Sequence, residues 1–114
     1  TFDLSTNTTD GTIITLFNEG HEDIYPLLTI ESKDTDITIQ NLETGEEFIL
    51  TGITATETLT VDNDPEVEEI SSDNELNRYE NHNDVFLRIV RDSNQFKVYG
   101  KCKLTLKYRH KFEF

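Results

Sequence analysis

Carboxylates dominate the chemically active side chains of this sequence, with 23 Asp and Glu against 10 Lys and Arg. Hydrolysis of a glycosidic bond needs two carboxyl groups at a set separation, one of them keeping its proton near neutral pH. Here the acids gather in polar stretches, above all Glu57, Asp62, Asp64, Glu66, Glu68, Glu69, Asp73, Glu75, Glu80 and Asp84 against a lone Arg78. Water and like charge surround such groups, and neither supplies the apolar pocket that raises one carboxyl pKa above its neighbours. The acids therefore read as solvated loops and strand faces.

Asp62-Asn63-Asp64-Pro65-Glu66 places several oxygens in one loop, as Ca²⁺ requires, but lacks the glycine and the spaced Glu of an EF-hand. The alternatives are a looser cation loop and an Asx-rich turn, and the turn is the expectation. His21, His82 and His110 are far apart and form no H-x-x-x-H pair, so no zinc set is in view. Cys102 is the sole cysteine, which rules out an internal disulfide. It alternates in phase with Leu104, Leu106 and Tyr108 and reads as a buried structural thiol. No Ser sits in G-x-S-x-G and no Gly-rich phosphate loop occurs. The expectation is a protein that is not an enzyme, with no catalytic, cofactor-binding or metal-binding residue.

Two surface features remain. Asn7-Thr8-Thr9 matches a glycosylation sequon, which matters only in a eukaryotic secretory setting. Tyr25, Tyr79 and Tyr99 fall near expected strand ends or loops and are the candidates for surface contact, including stacking on a sugar. There is no Trp to assist them, and packing in a core or interface is the competing use.

The elements that must position these residues follow a period of two. Asp36–Gln40 and Thr58–Asp62 alternate apolar with polar residues, Thr12–Phe17 and Glu47–Leu50 are rich in β-branched and aromatic residues, and turn residues such as Gly, Asn, Asp and Pro fall between these runs. Val67–Ile70 reads as a short return strand and Val85–Val90, the most apolar run, as a central strand. Gln95–Tyr99 and Lys101–Arg109 read as a final pair around Gly100. The stretch 71–84 is the longest polar one; the alternatives are a helical turn and an extended loop, and the loop is the expectation. With no helical period anywhere, the expected fold is an all-β antiparallel sandwich, one domain spanning residues 1–114.

A formal charge of −13 argues against binding phosphate backbones, so nucleic acid is not an expected partner. No apolar run approaches the about 18 residues of a spanning helix, so no membrane partner is expected either. Basic residues concentrate late, at Lys97, Lys101, Lys103, Lys107, Arg109 and Lys111, which would let one copy's basic face meet another's acidic loop. With no Met and a start at Thr1, the chain is expected to be cut from a larger protein.

Several stretches together resemble the distal tail protein family of siphophages, in its C-terminal domain. Phe17-Asn18-Glu19-Gly20 followed by Tyr25-Pro26-Leu27-Leu28-Thr29-Ile30 is similar to that family's opening, and Asn41-Leu42-Glu43-Thr44-Gly45 to its N-x-x-T-G turn. Glu57-Thr58-Leu59-Thr60-Val61-Asp62 resembles an E-x-L-x-I-D strand. Phe86-Leu87-Arg88-Ile89-Val90, Asn94 and Val98-Tyr99-Gly100-Lys101-Cys102 resemble its close. One departure is Asp92-Ser93-Asn94, where the family has a glycine-containing turn. The resemblance runs from about Phe17 to Arg109. It implies a jelly-roll or galectin-like sandwich in the virion, at the phage tail tip, on a protein made in the bacterial host cytoplasm. The parent protein would form a hexameric ring and the domain would project to dock baseplate or receptor-binding proteins, the isolated domain being a monomer. The H-x-N-P-R strand and Trp with which galectins read sugar are missing. The alternative function is a carbohydrate-binding adhesin for host cell-wall polysaccharide.

Overall fold

The computed structural model describes residues 1–74 and 77–108. Nine strands form: β1 (Phe2–Leu4), β2 (Thr12–Asn18), β3 (Leu27–Ser32), β4 (Ile37–Asn41), β5 (Glu47–Leu50), β6 (Thr58–Asp62), β7 (Glu69–Ser72), β8 (Asp92–Tyr99) and β9 (Cys102–Lys107). One sheet has the order β1-β9-β3-β6-β7 and the other β2-β8-β4-β5. Every pairing is antiparallel. The expected β-sandwich is what the chain forms.

Alternation accounts for the two layers. Ile14, Leu16, Ile37, Ile39, Phe48, Leu50, Phe96 and Val98 turn inward from the four-stranded sheet. Leu28, Ile30, Leu59, Val61, Ile70, Cys102 and Leu104 do so from the five-stranded one. Burying each large side chain stabilises by roughly 1.5–3 kcal/mol, and all of these belong to one core. On the outer face Lys103 sits in register between Asp3 and Glu31, so part of the late basic run is neutralised across strands.

Several expectations are corrected. Val85–Val90 is not a strand; it makes a single bridge, Ile24 with Ile89, and closes one end of the sandwich. Gln95–Tyr99 and the run after Lys101 do not pair with each other. β8 lies in the four-stranded sheet and β9 in the five-stranded one, so Gly100 carries the chain from layer to layer. Its φ of +98° favours glycine, and an added Cβ would collide with the Asp36 carbonyl oxygen and Ile37 Cδ1. β7 begins two residues later than the expected return strand, because 65–67 form a turn. The stretch 71–84 holds the end of β7 and a 3₁₀ turn at Tyr79–Asn81. Arg109 and Lys111 of the basic run, and Glu75 of the acidic one, lie outside the described residues.

Candidate functional site

The three tyrosines are not brought together. Tyr99 ends β8 beside Thr38, close to the end where β3 finishes at Ser32, opposite Cys102. Tyr25 precedes the other end of β3, where Leu27 pairs with Asp62 and Lys107. Tyr79 lies at the margin of the five-stranded sheet, its hydroxyl accepting the Ile70 N–H at 3.2 Å. These three rings form no common platform.

Tyr99 does line a groove of about 420 Å³, with Asn7, Thr8, Asp34, Asp36 and Lys101. The Lys97 ammonium sits 5.4 Å from the centre of the Tyr99 ring, a distance at which the ring's negative face attracts a cation. Backbone N–H groups hold the carboxylates: Asp34 accepts from Thr35 at 3.0 Å and Asp36 from Gly52 at 3.0 Å. The groove therefore offers fixed acceptors beside one aromatic face, which suits a polar ligand. Asn7 is itself buried, giving hydrogen bonds to Val98 and Gly100 carbonyls and accepting one from Thr12. Its amide is engaged in the fold, so the sequon Asn7-Thr8-Thr9 is no exposed acceptor.

Residues that sequence reasoning placed in solvated acidic stretches form a buried ion pair. Glu57 takes two hydrogen bonds from Arg78, Nε to Oε2 at 2.8 Å and Nη2 to Oε1 at 2.6 Å, with the Glu57 side chain fully enclosed. Burial pushes the Glu57 carboxyl up. Hydrogen bonds from Arg78, Ser72 and the Thr54 N–H outweigh it and hold the group at about 2. The same pairing raises Arg78 further above its ordinary range. The pair ties the start of β6 to the approach to the 3₁₀ turn.

Four buried asparagines do comparable work at the opposite end. Asn18 and Asn41 donate to the carbonyls of Ile89 (3.0 Å) and Arg88 (2.9 Å). Asn63 accepts the Leu87 N–H at 2.8 Å, and Asn94 accepts the Val90 N–H at 3.0 Å. Side-chain amides thus replace a strand ladder for 87–90, satisfying backbone that burial would otherwise leave unpaired. Outside this rail Arg88 bridges Glu46 at 2.7 Å and Asp23 at 3.0 Å.

The remaining candidates resolve to structural places. Asp62 and Asp64 accept the N–H groups of Asp64 and Glu66, an Asx-rich turn as expected. Among the described residues no group of three or more His, Cys, Asp and Glu comes together. His21 is exposed, His82 is buried between Phe48 and Phe86, and His110 lies outside the described residues. His82 bridges to Leu50 of the edge strand β5, and its ring packs into the core between Phe48 and Phe86. Burial pushes its pKa down against the pull of the Val85 carbonyl. Burial also pushes the Cys102 thiol up to about 11, so it is no thiolate nucleophile at neutral pH.

The ion pair and most of the asparagine rail escaped sequence reasoning because they join residues distant in the chain, Asn94 with Val90 being the local exception. A signal existed: Asn18 and Asn41 close strands and Asn63 follows one, where apolar alternation stops. No curated protein and no solved structure matches the chain significantly. A family described as a phage tail C-terminal domain matches residues 1–108, nearly the whole length. The sandwich with its stapled loops thus has a known kin group, and this chain belongs to the phage tail C-terminal domain family.

Proposed function

We propose that this domain is a non-catalytic structural module of the phage tail tip, the C-terminal part of a distal tail protein. In this reading the full-length protein forms a hexameric ring, and the domain projects from that hub in a galectin-like manner to dock baseplate or receptor-binding proteins. The family match over residues 1–108 carries the reading. It is supported by loops fixed at both ends of the sandwich, by the Glu57–Arg78 pair and by the asparagine rail, as a presenting scaffold requires. Immunogold labelling of phage particles with an antibody raised against the chain tests it. Gold at the tail tip is the expected result; gold confined to the capsid, or absent from particles, overturns it.

The groove beside Tyr99 favours one second reading, a carbohydrate-binding module for host cell walls. Acceptor oxygens next to an aromatic face suit sugar hydroxyls and CH groups. Saturable binding to purified Gram-positive walls, lost in Tyr99→Ala and competed by free polysaccharide, would support it. No binding, with a known wall-binding domain as positive control, removes it.

A further inference from the structure

Sheet edges carry unpaired N–H and C=O groups that proteins usually cover or interrupt. Three of the four edges here are managed. Along β5, Thr51 donates to the Asn81 carbonyl and Asn83 donates to Ile49, while the Asn83 side chain accepts from Ile49 and donates to Glu47. β7 has its Ile70 N–H taken by the Tyr79 hydroxyl. β1 is three residues long.

β2 differs. It runs seven residues and pairs with β8 along one side, and among the described residues nothing pairs with its other side. Gln95 accepts the Leu42 N–H on the β4 side of β8. The alternation of an antiparallel ladder then turns Asn94, Phe96 and Val98 toward Leu16, Ile14 and Thr12. The N–H and C=O groups of Ile13, Thr15 and Phe17 consequently point outward. Their side chains are also on the outer face, with Ile13 52% and Phe17 50% exposed. The strand contains no charge and no Pro to deter pairing.

We propose that this edge joins a second copy of the chain, β2 against β2 antiparallel about a two-fold axis at Thr15. The sequence Thr12-Ile13-Ile14-Thr15-Leu16-Phe17-Asn18 reads chemically alike from either end: polar, two apolar, Thr, two apolar, polar. A two-fold interface demands that self-complementarity. In this register Ile13 of each copy faces Phe17 of the other and Thr15 faces Thr15, aromatic–aliphatic and Thr–Thr pairs that stabilise sheets. The copies each carry −13, yet meet along a strand free of charge, with salt screening the remainder. A basic partner strand, which the net charge would attract, finds no carboxylate in β2 to pair with. The two four-stranded sheets become one of eight strands. This departs from the sequence-based expectation of an isolated monomer, and it stands independently of the tail-tip reading.

Sedimentation velocity of the whole chain over a concentration series at physiological salt tests the proposal. A reversible monomer–dimer equilibrium is expected. Ile13→Lys alters two symmetric contacts and should weaken it by about tenfold or more, whereas Val67→Lys, at another exposed site, should leave it unchanged. Thr15→Cys should yield a disulfide-linked dimer on mild oxidation, since facing hydrogen-bonded residues lie about 5.5 Å apart, within disulfide range. Cys102 is buried and does not compete. A monomer at every concentration, a dimer indifferent to Ile13→Lys, or no cross-link from a folded Thr15→Cys protein would each overturn the proposal.

Discussion

Arg78 grips Glu57 with two hydrogen bonds, at 2.6 and 2.8 Å, across 21 residues of chain and inside the protein. Removing one partner of such a buried pair leaves the other charge without compensation, which costs about 3–5 kcal/mol. Arg78→Met should therefore destabilise the fold more than Glu57→Gln, which keeps a polar group but loses the charge. Urea unfolding monitored by circular dichroism checks the order; equal and negligible effects would show the pair to be dispensable.

Acid should release the same latch. The Glu57 carboxyl is held at about 2, below its ordinary 4.5, by hydrogen bonds that overcome burial. A depressed acid stabilises fully above the unfolded pKa, and that contribution fades as pH falls from about 4.5 toward 2. The loss is on the order of 3 kcal/mol. Stability measured between pH 6 and 2.5 should fall along this limb, and Glu57→Gln should flatten it.

His82 governs a higher window. Its pKa is pushed below 6.5 by burial, only partly opposed by the Val85 carbonyl and by Asp84 and Glu68. The unfolded chain then binds a proton the folded one refuses, so stability drops as pH falls from about 6.5 toward the folded value. His82→Phe retains a ring between Phe48 and Phe86 and cannot titrate. In parallel urea titrations the native chain should lose stability between pH 7.5 and 5.5, and the variant should lose less.

Asn63 is buried and serves two segments, donating to the Pro26 carbonyl at 2.7 Å and accepting the Leu87 N–H at 2.8 Å. Asn63→Ala orphans the Leu87 amide and should cost about 2–3 kcal/mol. Hydrogen exchange at Leu87 should accelerate more than at Leu59 in the core; uniform acceleration would mean the rail is not a local fastener.

Gly100→Ala forces a Cβ onto the Asp36 carbonyl in a left-handed backbone. A loss of about 2–4 kcal/mol is expected, read as a lower thermal midpoint. Gly45→Ala, with open space around it at a φ of +80°, should cost less.

Alternation made much of this fold legible. β5 and β6 were placed at their observed bounds, and β2 and β4 within a residue at each end, since a strand with one buried face must repeat every two residues. The same rule misread Val85–Val90. Leu87 and Ile89 do alternate inward, yet their backbone finds asparagine side chains in place of a neighbouring strand. β3 went unplaced as a strand although its first residues carried the family resemblance, and β1 is too short for periodicity to mark.

Composition, spacing and motif order by themselves determined the all-β class, the inert buried cysteine and the phage tail kinship, because each is a property of residues near one another in the chain. Tertiary structure alone decided that β8 and β9 part at Gly100 into different sheets, that Glu57 meets Arg78, and that the tyrosines stay apart. Those outcomes depend on which distant backbones meet across the sandwich, and alternation along a strand says which face is inward but not which strand lies alongside.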